Sequence, residues 1–307
     1  MGKTRELSRP PAGGAWSAWR PIPDLAALSA DVLAEILDGG QAFRWHRAAD
    51  GTFLGVWSDN IAQVRLATEG QPEWSAPLAL EARVARALPE YFATGQLLAT
   101  LADTLPWRSD AHLARCLADF RGLQILRQPF GETLLGFLCS ATKQIVQIKQ
   151  MLALLAERHG AEIAPGHRRL PTWPELAAIP EEKLRACLLG FRARYIAQTA
   201  QCLAAHTGWL EETEALPYAA AKERLCSLPG VGEKVADCVL LFGAGRLEAF
   251  PVDVWILKTM ARRYGLDGWK PAQVAQFGRA HFGPLAGLAQ QYLFAWERRQ
   301  GRLPRPA

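Results

Sequence analysis

What the 307-residue chain lacks narrows its class before any motif is considered. No apolar stretch approaches bilayer length: the longest, such as Val239 to Ala244 and Val252 to Leu257, are far too short. The start, Met1-Gly2-Lys3-Thr4-Arg5-Glu6, has no apolar core of a secretory leader. Together these absences point to an intracellular protein with no membrane partner. The six cysteines, Cys116, Cys139, Cys187, Cys202, Cys226 and Cys238, contain no C-x-x-C pair and sit in helix-like apolar surroundings, so they read as reduced core thiols. No tight cluster follows Cys238, which excludes an iron-sulfur loop there. The six histidines form no H-x-x-x-H or comparable pair, so no catalytic metal is implied. Internal repeats and low-complexity tracts are also missing.

Half the residues are apolar, enough for real cores in one large domain or two ordinary ones. The 35 basic and 30 acidic residues leave +5, which suits a polyanionic partner without requiring one. Residues 1 to 20 are rich in Pro, Gly and Arg and read as a loosely ordered lead-in. Phe43 to Arg47 and Thr52 to Trp57 alternate about Asp50-Gly51 as a β-hairpin does, and Ile61 to Leu66 supplies a further strand. From residue 80 the period becomes helical, with Leu80, Val84, Leu88 and Tyr91 on one face. Candidate helices follow over Thr133 to Leu138, Ile145 to Arg158, Pro174 to Leu189, Ala193 to His206 and Pro217 to Ser227. The predicted class is α+β: an antiparallel sheet domain with flanking helices over residues 21–115, then a helical domain over 116–307.

The most informative stretch is Leu228-Pro229-Gly230-Val231-Gly232-Glu233-Lys234, a tight glycine turn between two helical runs. This helix-hairpin-helix spans about 217–243. Gly230 and Gly232 permit backbone angles other residues resist, and the second helix begins with free N–H groups and the positive end of its dipole. Such a start is a site for a DNA phosphate, contacted through the backbone of Gly230, Val231 and Gly232 without regard to base sequence. The same motif could simply join two helices, or serve a protein that binds DNA without cutting it.

Lys234 lies in the first turn of that second helix, where the dipole disfavours an ammonium, and a neutral amine is a nucleophile. Nineteen residues on, Pro251-Val252-Asp253-Val254-Trp255 presents a carboxylate just before a helical run from Trp255 to Tyr264. Asp253 fits a plain N-cap. A capping carboxylate is also rigidly mounted, and could stabilise positive charge developing on a sugar as its base departs.

With these residues the chain resembles the 8-oxoguanine DNA glycosylase family of the helix-hairpin-helix superfamily. The likeness rests on Leu228 to Cys238 with Pro251 to Val254, on Gly40-Gln41-Ala42-Phe43-Arg44-Trp45, on Gly190-Phe191-Arg192-Ala193-Arg194-Tyr195, and on Gly287-Leu288-Ala289-Gln290-Gln291-Tyr292-Leu293-Phe294. It runs from about residue 20 to 300. It implies a bifunctional glycosylase and lyase: Lys234 attacks the anomeric carbon, expels an oxidised purine, forms a Schiff base and permits β-elimination, with Asp253 assisting electrostatically. The target nucleotide must leave the stack and enter a pocket. The resemblance places Gly40, Phe137, Ile145, Cys238, Phe242, Pro251, Gln290 and Phe294 around that pocket. Phe294 would stack on one face of the base and Cys238 on the other. Gln290 would bond the Watson–Crick edge, and the Gly40 carbonyl would accept the hydrogen that oxidation adds. Each of these residues also has a plain reading as core, turn or solvated polar.

Phe191 and Arg192 resemble the wedge that fills the vacated stack and contacts the widowed base. The chain departs from eukaryotic members nearby: Cys139-Ser140-Ala141-Thr142-Lys143-Gln144 stands where they carry an asparagine-rich triplet, Gln147 replaces a cytosine-reading arginine, and Trp255 replaces a phosphate-contacting histidine. These departures fit a bacterial member whose readers Thr142 and Gln147 discriminate the opposite base more loosely. The resemblance also implies a structural monovalent cation, K+ or Na+, on the backbone carbonyls of Cys226, Leu228 and Val231, and no required cofactor. The expected partner is double-stranded DNA containing oxidised purines, bound by a monomer associated with DNA in the cytoplasm or nucleoid. Two rivals remain: a water-using glycosylase for alkylated bases, and a non-catalytic helix-hairpin-helix protein.

Overall fold

The computed structural model describes residues 15–96 and 98–302. Five antiparallel strands, β1 (Arg20–Pro21), β2 (Trp45–Arg47), β3 (Phe53–Trp57), β4 (Asn60–Leu66) and β5 (Pro72–Ser75), form a sheet in the order β1-β5-β4-β3-β2. The Asp50-Gly51 turn joins β2 to β3, with Trp45 opposite Gly55, and β3 pairs with β4, as the alternation predicts. Gly55 is needed there because a β-carbon on it would lie 2.3 Å from the Trp45 ring. The indole crosses that gap fully buried, stacks 5.8 Å from Trp57 and donates from Nε1 to the Tyr91 hydroxyl at 2.9 Å. Tyr91 belongs to the helix Glu81–Tyr91, so this aromatic cluster fastens the sheet to one of the flanking helices.

The lead-in differs from expectation over its described part. Trp16 bridges to Pro77, the Ser17 N–H donates to the Ala76 carbonyl at 2.8 Å, and Arg20–Pro21 is itself a strand. The sheet edge supplies backbone partners that a composition argument does not register. Residues 1–14 lie outside the described residues.

Beyond the sheet the described chain is mainly helical. Phe130–Leu138, Ile145–His159, Arg192–Ala205 and Tyr218–Cys226 match expected helices to within a few residues at each end. The expected helix over Pro174 to Leu189 is instead three pieces: Trp173–Ala177, Glu181–Leu184 and a π turn over Arg185–Leu189. Pro180 interrupts the first, since it lacks an N–H and pushes the residue before it out of helix. Leu176, Leu184 and Leu189 remain buried through the breaks, which is why the apolar period looked continuous. A short ribbon of Glu162–Ala164 and His167–Arg168 also follows Gly160.

The C-terminal helix Ala286–Arg302 returns to the front of the chain. It packs on Ala111–Asp119 and Val254–Tyr264, and the Arg298 guanidinium forms a buried ion pair with Glu35. Gln41 joins the halves from the other side. Its side chain donates to the Gln124 carbonyl at 2.9 Å and accepts from the Leu126 N–H at 3.0 Å, while its own carbonyl accepts from Gln128 at 2.7 Å. Gly40, the next residue back, is therefore held by a fully buried neighbour. Among the described residues no helix is long and apolar enough to cross a membrane. Cys116, Cys139, Cys187 and Cys238 are buried free thiols, whereas Cys202 is exposed and Cys226 half-buried, so the expectation of core thiols fails at Cys202.

Candidate active site

The helix Glu233–Phe242 begins on Gly232, with no side chain capping its first N–H groups. Its polar start is therefore left for an anion. Gly230 has φ +78, and a β-carbon there would lie 2.7 Å from Tyr195, so the turn tolerates only glycine. Gly232 meets nothing within 4 Å and faces open space. The Val231 N–H is used inside the turn, donating to the Leu228 carbonyl at 3.1 Å, while the Pro229 carbonyl accepts from Thr199 at 3.1 Å. Of the three backbone contacts anticipated here, that of Val231 is thus directed inward in this state.

One turn into the helix, Lys234 is half-buried. Its Nζ lies 3.2 Å from Ser140 Oγ and 5.1 Å from the centre of the Phe137 ring. Ser140 follows the helix Phe130–Leu138 and was not singled out in the sequence; it stands 94 residues from Lys234, and only tertiary structure joins them. Asp253 caps the helix Val254–Tyr264, its Oδ1 accepting from the N–H groups of Trp255 at 3.0 Å and Ile256 at 2.9 Å. Burial raises the Asp253 carboxyl above its ordinary range, and the two capping N–H groups and the charge of Lys234 pull the other way. Cys238 lies with them: burial pushes its thiol up to about 12, while Lys234 opposes and Asp237 and Asp253 reinforce that shift. Lysine, carboxylate and neutral thiol thus share one partly desolvated region.

Around this group the expected pocket residues take different parts. Gly40 has φ +114, and its missing β-carbon would sit 3.1 Å from Ile145 Cδ1 and 3.8 Å from Phe294 Cζ, so these three converge. Phe294 is half-buried, with the Arg298 guanidinium 5.8 Å from its ring centre. Phe137 and Phe242 are both buried and stack on each other at 5.6 Å, forming the base on which Lys234 rests. Gln290 is 4% exposed, and its amide nitrogen donates to the Pro251 carbonyl at 3.1 Å. A carbonyl can only accept, so this bond fixes the amide orientation. Gln290 Oε1 is left as a buried acceptor with no partner among the described residues.

At the wedge, Phe191 is 54% exposed and meets Tyr195 edge-on at 6.1 Å. Arg192, which by the family resemblance would contact the widowed base, is 2% exposed. It donates to the carbonyls of Leu189 and Ala141 and to Thr142 Oγ1, bracing the loop after Cys139 against the wedge. Thr142 sits at φ +55 in that loop. Gln147 caps its own helix, its Oε1 accepting from the Gln144 N–H at 3.2 Å. Arg192 is thus turned inward, whereas exposed Gln147 keeps its amide NH2 group on the surface.

Comparison with known proteins adds independent findings. Residues 28–134 match the family model described as 8-oxoguanine DNA glycosylase, N-terminal domain, and residues 135–281 match that described as HhH-GPD superfamily base excision DNA repair protein. A probable N-glycosylase/DNA lyase of Methanothermobacter thermautotrophicus is 41% identical over 122 residues, covering 40% of this chain and 39% of that protein. An N-glycosylase/DNA lyase of Arabidopsis thaliana is 33% identical over 208 residues, covering 62% of this chain and 56% of the plant protein. The aligned part thus spans about half or less of these curated relatives. Among solved structures, the Clostridium acetobutylicum 8-oxoguanine glycosylase/lyase, in complex with double-stranded DNA containing cytosine opposite 8-oxoguanine, superposes with a TM-score of 0.80. It is 31% identical, with coverage of 88% of this chain and 92% of that one.

Proposed function

The chain belongs to the 8-oxoguanine DNA glycosylase family, and from that premise we propose that it is a bifunctional glycosylase and lyase that flips oxidised purines out of duplex DNA and excises them. The amine of Lys234 uses its lone pair to attack C1′ of the extruded nucleotide. The C1′–N9 bond breaks, and the base leaves with the electron pair and takes up a proton. The secondary amine then opens the sugar to a Schiff base, loss of a C2′ proton follows, and the bond from C3′ to its phosphate oxygen breaks. Asp253, fixed by its own helix, stabilises the positive charge on the sugar while the base departs.

The observation that carries this reading is the shared placement of Lys234 and the buried carboxylate of Asp253, close enough for the charge of Lys234 to oppose the rise that burial imposes on that carboxyl. The orphan acceptor of Gln290 supports the substrate class: Oε1 suits the N1–H and N2–H donors of a guanine edge, and an adenine edge would offer it only one amino group. Convergence of Gly40, Ile145 and Phe294 supports a wall at the far side of the same base. We assign the uncapped start at Gly232 to a phosphate, the pocket to double-stranded DNA carrying oxidised purines, and the active form to a monomer. The carbonyls of Cys226, Leu228 and Val231 would hold a monovalent cation as neutral donors, with Leu228 also accepting the turn's internal hydrogen bond.

The test is reduction with borohydride during reaction with an 8-oxoguanine duplex. Wild type should become covalently joined to DNA, whereas Lys234→Gln should neither trap nor nick and should keep salt-sensitive binding. Excision without trapping would favour a water-using enzyme; binding without excision would favour a non-catalytic module.

A further inference from the structure

The backbone before the wedge holds a residue out of place on two counts. Leu188, within the π turn Arg185–Leu189, has φ +64 and ψ +15, in the left-handed region, and it is 53% exposed. A branched side chain there is strained where glycine or asparagine would not be. More than half exposed, it gains little packing to offset that strain within the free protein. The surroundings hold the arrangement firmly: Leu189 is fully buried, the Leu189 carbonyl accepts from Arg192 at 3.2 Å, and the Gly190 carbonyl accepts from Arg185 at 3.0 Å. Exposed Leu188 and Phe191 therefore flank the buried Leu189 in the chain.

We propose that Leu188 is a second apolar wedge, pressed against the base pair beside the emptied position while Phe191 fills it. The assignment rests on the glycosylase reading above and extends it to how the duplex is opened. Duplex DNA is the occupant that fits the charge, because exposed Lys183 and Arg194 flank the two apolar residues, while Arg185 is paired with Glu181 and Arg192 is buried. It also fits continuity: Tyr195 spans from Phe191 to the Gly230 turn, so the apolar projection runs into the helix start assigned to a phosphate. Unstacking a base step is costly, and an apolar side chain inserted at the step compensates for it. The strain at Leu188 is then retained because it aims that side chain.

The experiment compares wild type with Leu188→Gly and Leu188→Asn, the second keeping a left-handed preference without glycine's extra freedom. Three quantities are read: the Tm, the fluorescence of 2-aminopurine placed beside the target position, and single-turnover excision from duplexes with the lesion opposite cytosine or an abasic site. Both variants should melt at or above the wild-type Tm. They should lose at least half of the protein-induced fluorescence rise and excise about fivefold or more slowly opposite cytosine, with the deficit shrinking opposite the abasic site, where stacking is already broken. A lower Tm with unchanged fluorescence would overturn the proposal and leave Leu188 a structural residue, as would an equal loss on both duplexes. If wild type destacks the probe but excises neither substrate, the glycosylase reading fails, and the fluorescence comparison still decides the wedge.

Discussion

The amine of Lys234 and the hydroxyl of Ser140 are joined at 3.2 Å, and that hydroxyl in turn donates to the Phe137 carbonyl at 2.7 Å. With its one proton committed to Phe137, Ser140 can present only a lone pair to Lys234. The lysine must then give an N–H to Ser140, and in its neutral form its lone pair points away from the serine. In the proposed reaction Ser140 thus positions the amine for its attack. Replacing it by alanine should slow borohydride trapping about tenfold, in line with roughly 1.4 kcal/mol for one such bond, while DNA affinity changes less than about twofold. Ser140→Thr, which restores the hydroxyl, should recover most of the rate. Equal losses of affinity and Tm in both variants would mark a folding role instead.

Asp253 carries opposing demands of stability and chemistry. Its carboxyl is raised by burial, so the folded state holds the proton to a higher pH than the unfolded chain does. The charged form therefore costs stability at neutral pH, and that cost fades as pH falls through the carboxylate range. Asp253→Asn keeps an oxygen for the Trp255 and Ile256 N–H groups and removes the charge. It should melt above wild type at pH 7, by a margin that narrows in acid, and lose excision by on the order of 10²-fold. Retained excision would remove Asp253 from the reaction.

The two hairpin glycines should behave differently. Gly230→Ala combines a positive φ with a β-carbon driven into Tyr195 and should destabilise the protein by about 1–3 kcal/mol in denaturant unfolding. Gly232→Ala adds a methyl group in open space and should leave stability within about 1 kcal/mol, yet weaken binding to undamaged and damaged duplexes alike. Preserved binding in Gly232→Ala would show that no phosphate approaches that helix start.

Glu132 offers a pH test away from the site. Burial raises its carboxyl to about 7 from an ordinary 4.5, against the Ser58 N–H bond at 2.9 Å and the charge of Arg44. Between those two values the folded state is protonated and the unfolded state is not, so stability should rise as pH drops from above 7 toward 4.5. Glu132→Gln should flatten that segment of the Tm profile, and its advantage over wild type should be greatest above pH 7. Parallel profiles would show that Glu132 does not titrate in this range.

Much of this was legible in the residues themselves, for identifiable reasons. Alternation about Asp50-Gly51 reports a hairpin because a positive-φ glycine turn joins two runs of strand formers, and Leu228 to Lys234 reports a tight turn because Gly230 takes a positive φ against Tyr195. The Asp253 cap was readable from its place before an apolar helical run. Ser140 was not, since its function lies in a contact across 94 residues. Arg192 misled for a related reason: a wedge arginine looks solvent-bound until the loop from Cys139 to Gln144 folds back and supplies the Ala141 carbonyl and the Thr142 hydroxyl to hold it. The π turn at Leu188 escaped because periodicity records which side chains are buried and is silent about the backbone angles between them.

The clamp at Gln41 has a consequence for how lesion choice is partitioned along the chain. The proposed nucleophile lies in the later helices, yet the carbonyl that the family resemblance gives to sensing the oxidised ring comes from Gly40, at the front, beside Gln41, whose three hydrogen bonds reach residues 124 to 128. On the proposed reading, the contact with the oxidised ring and the nucleophile are thus encoded by separate stretches, and a slight shift between them would blunt discrimination while leaving the nucleophile intact.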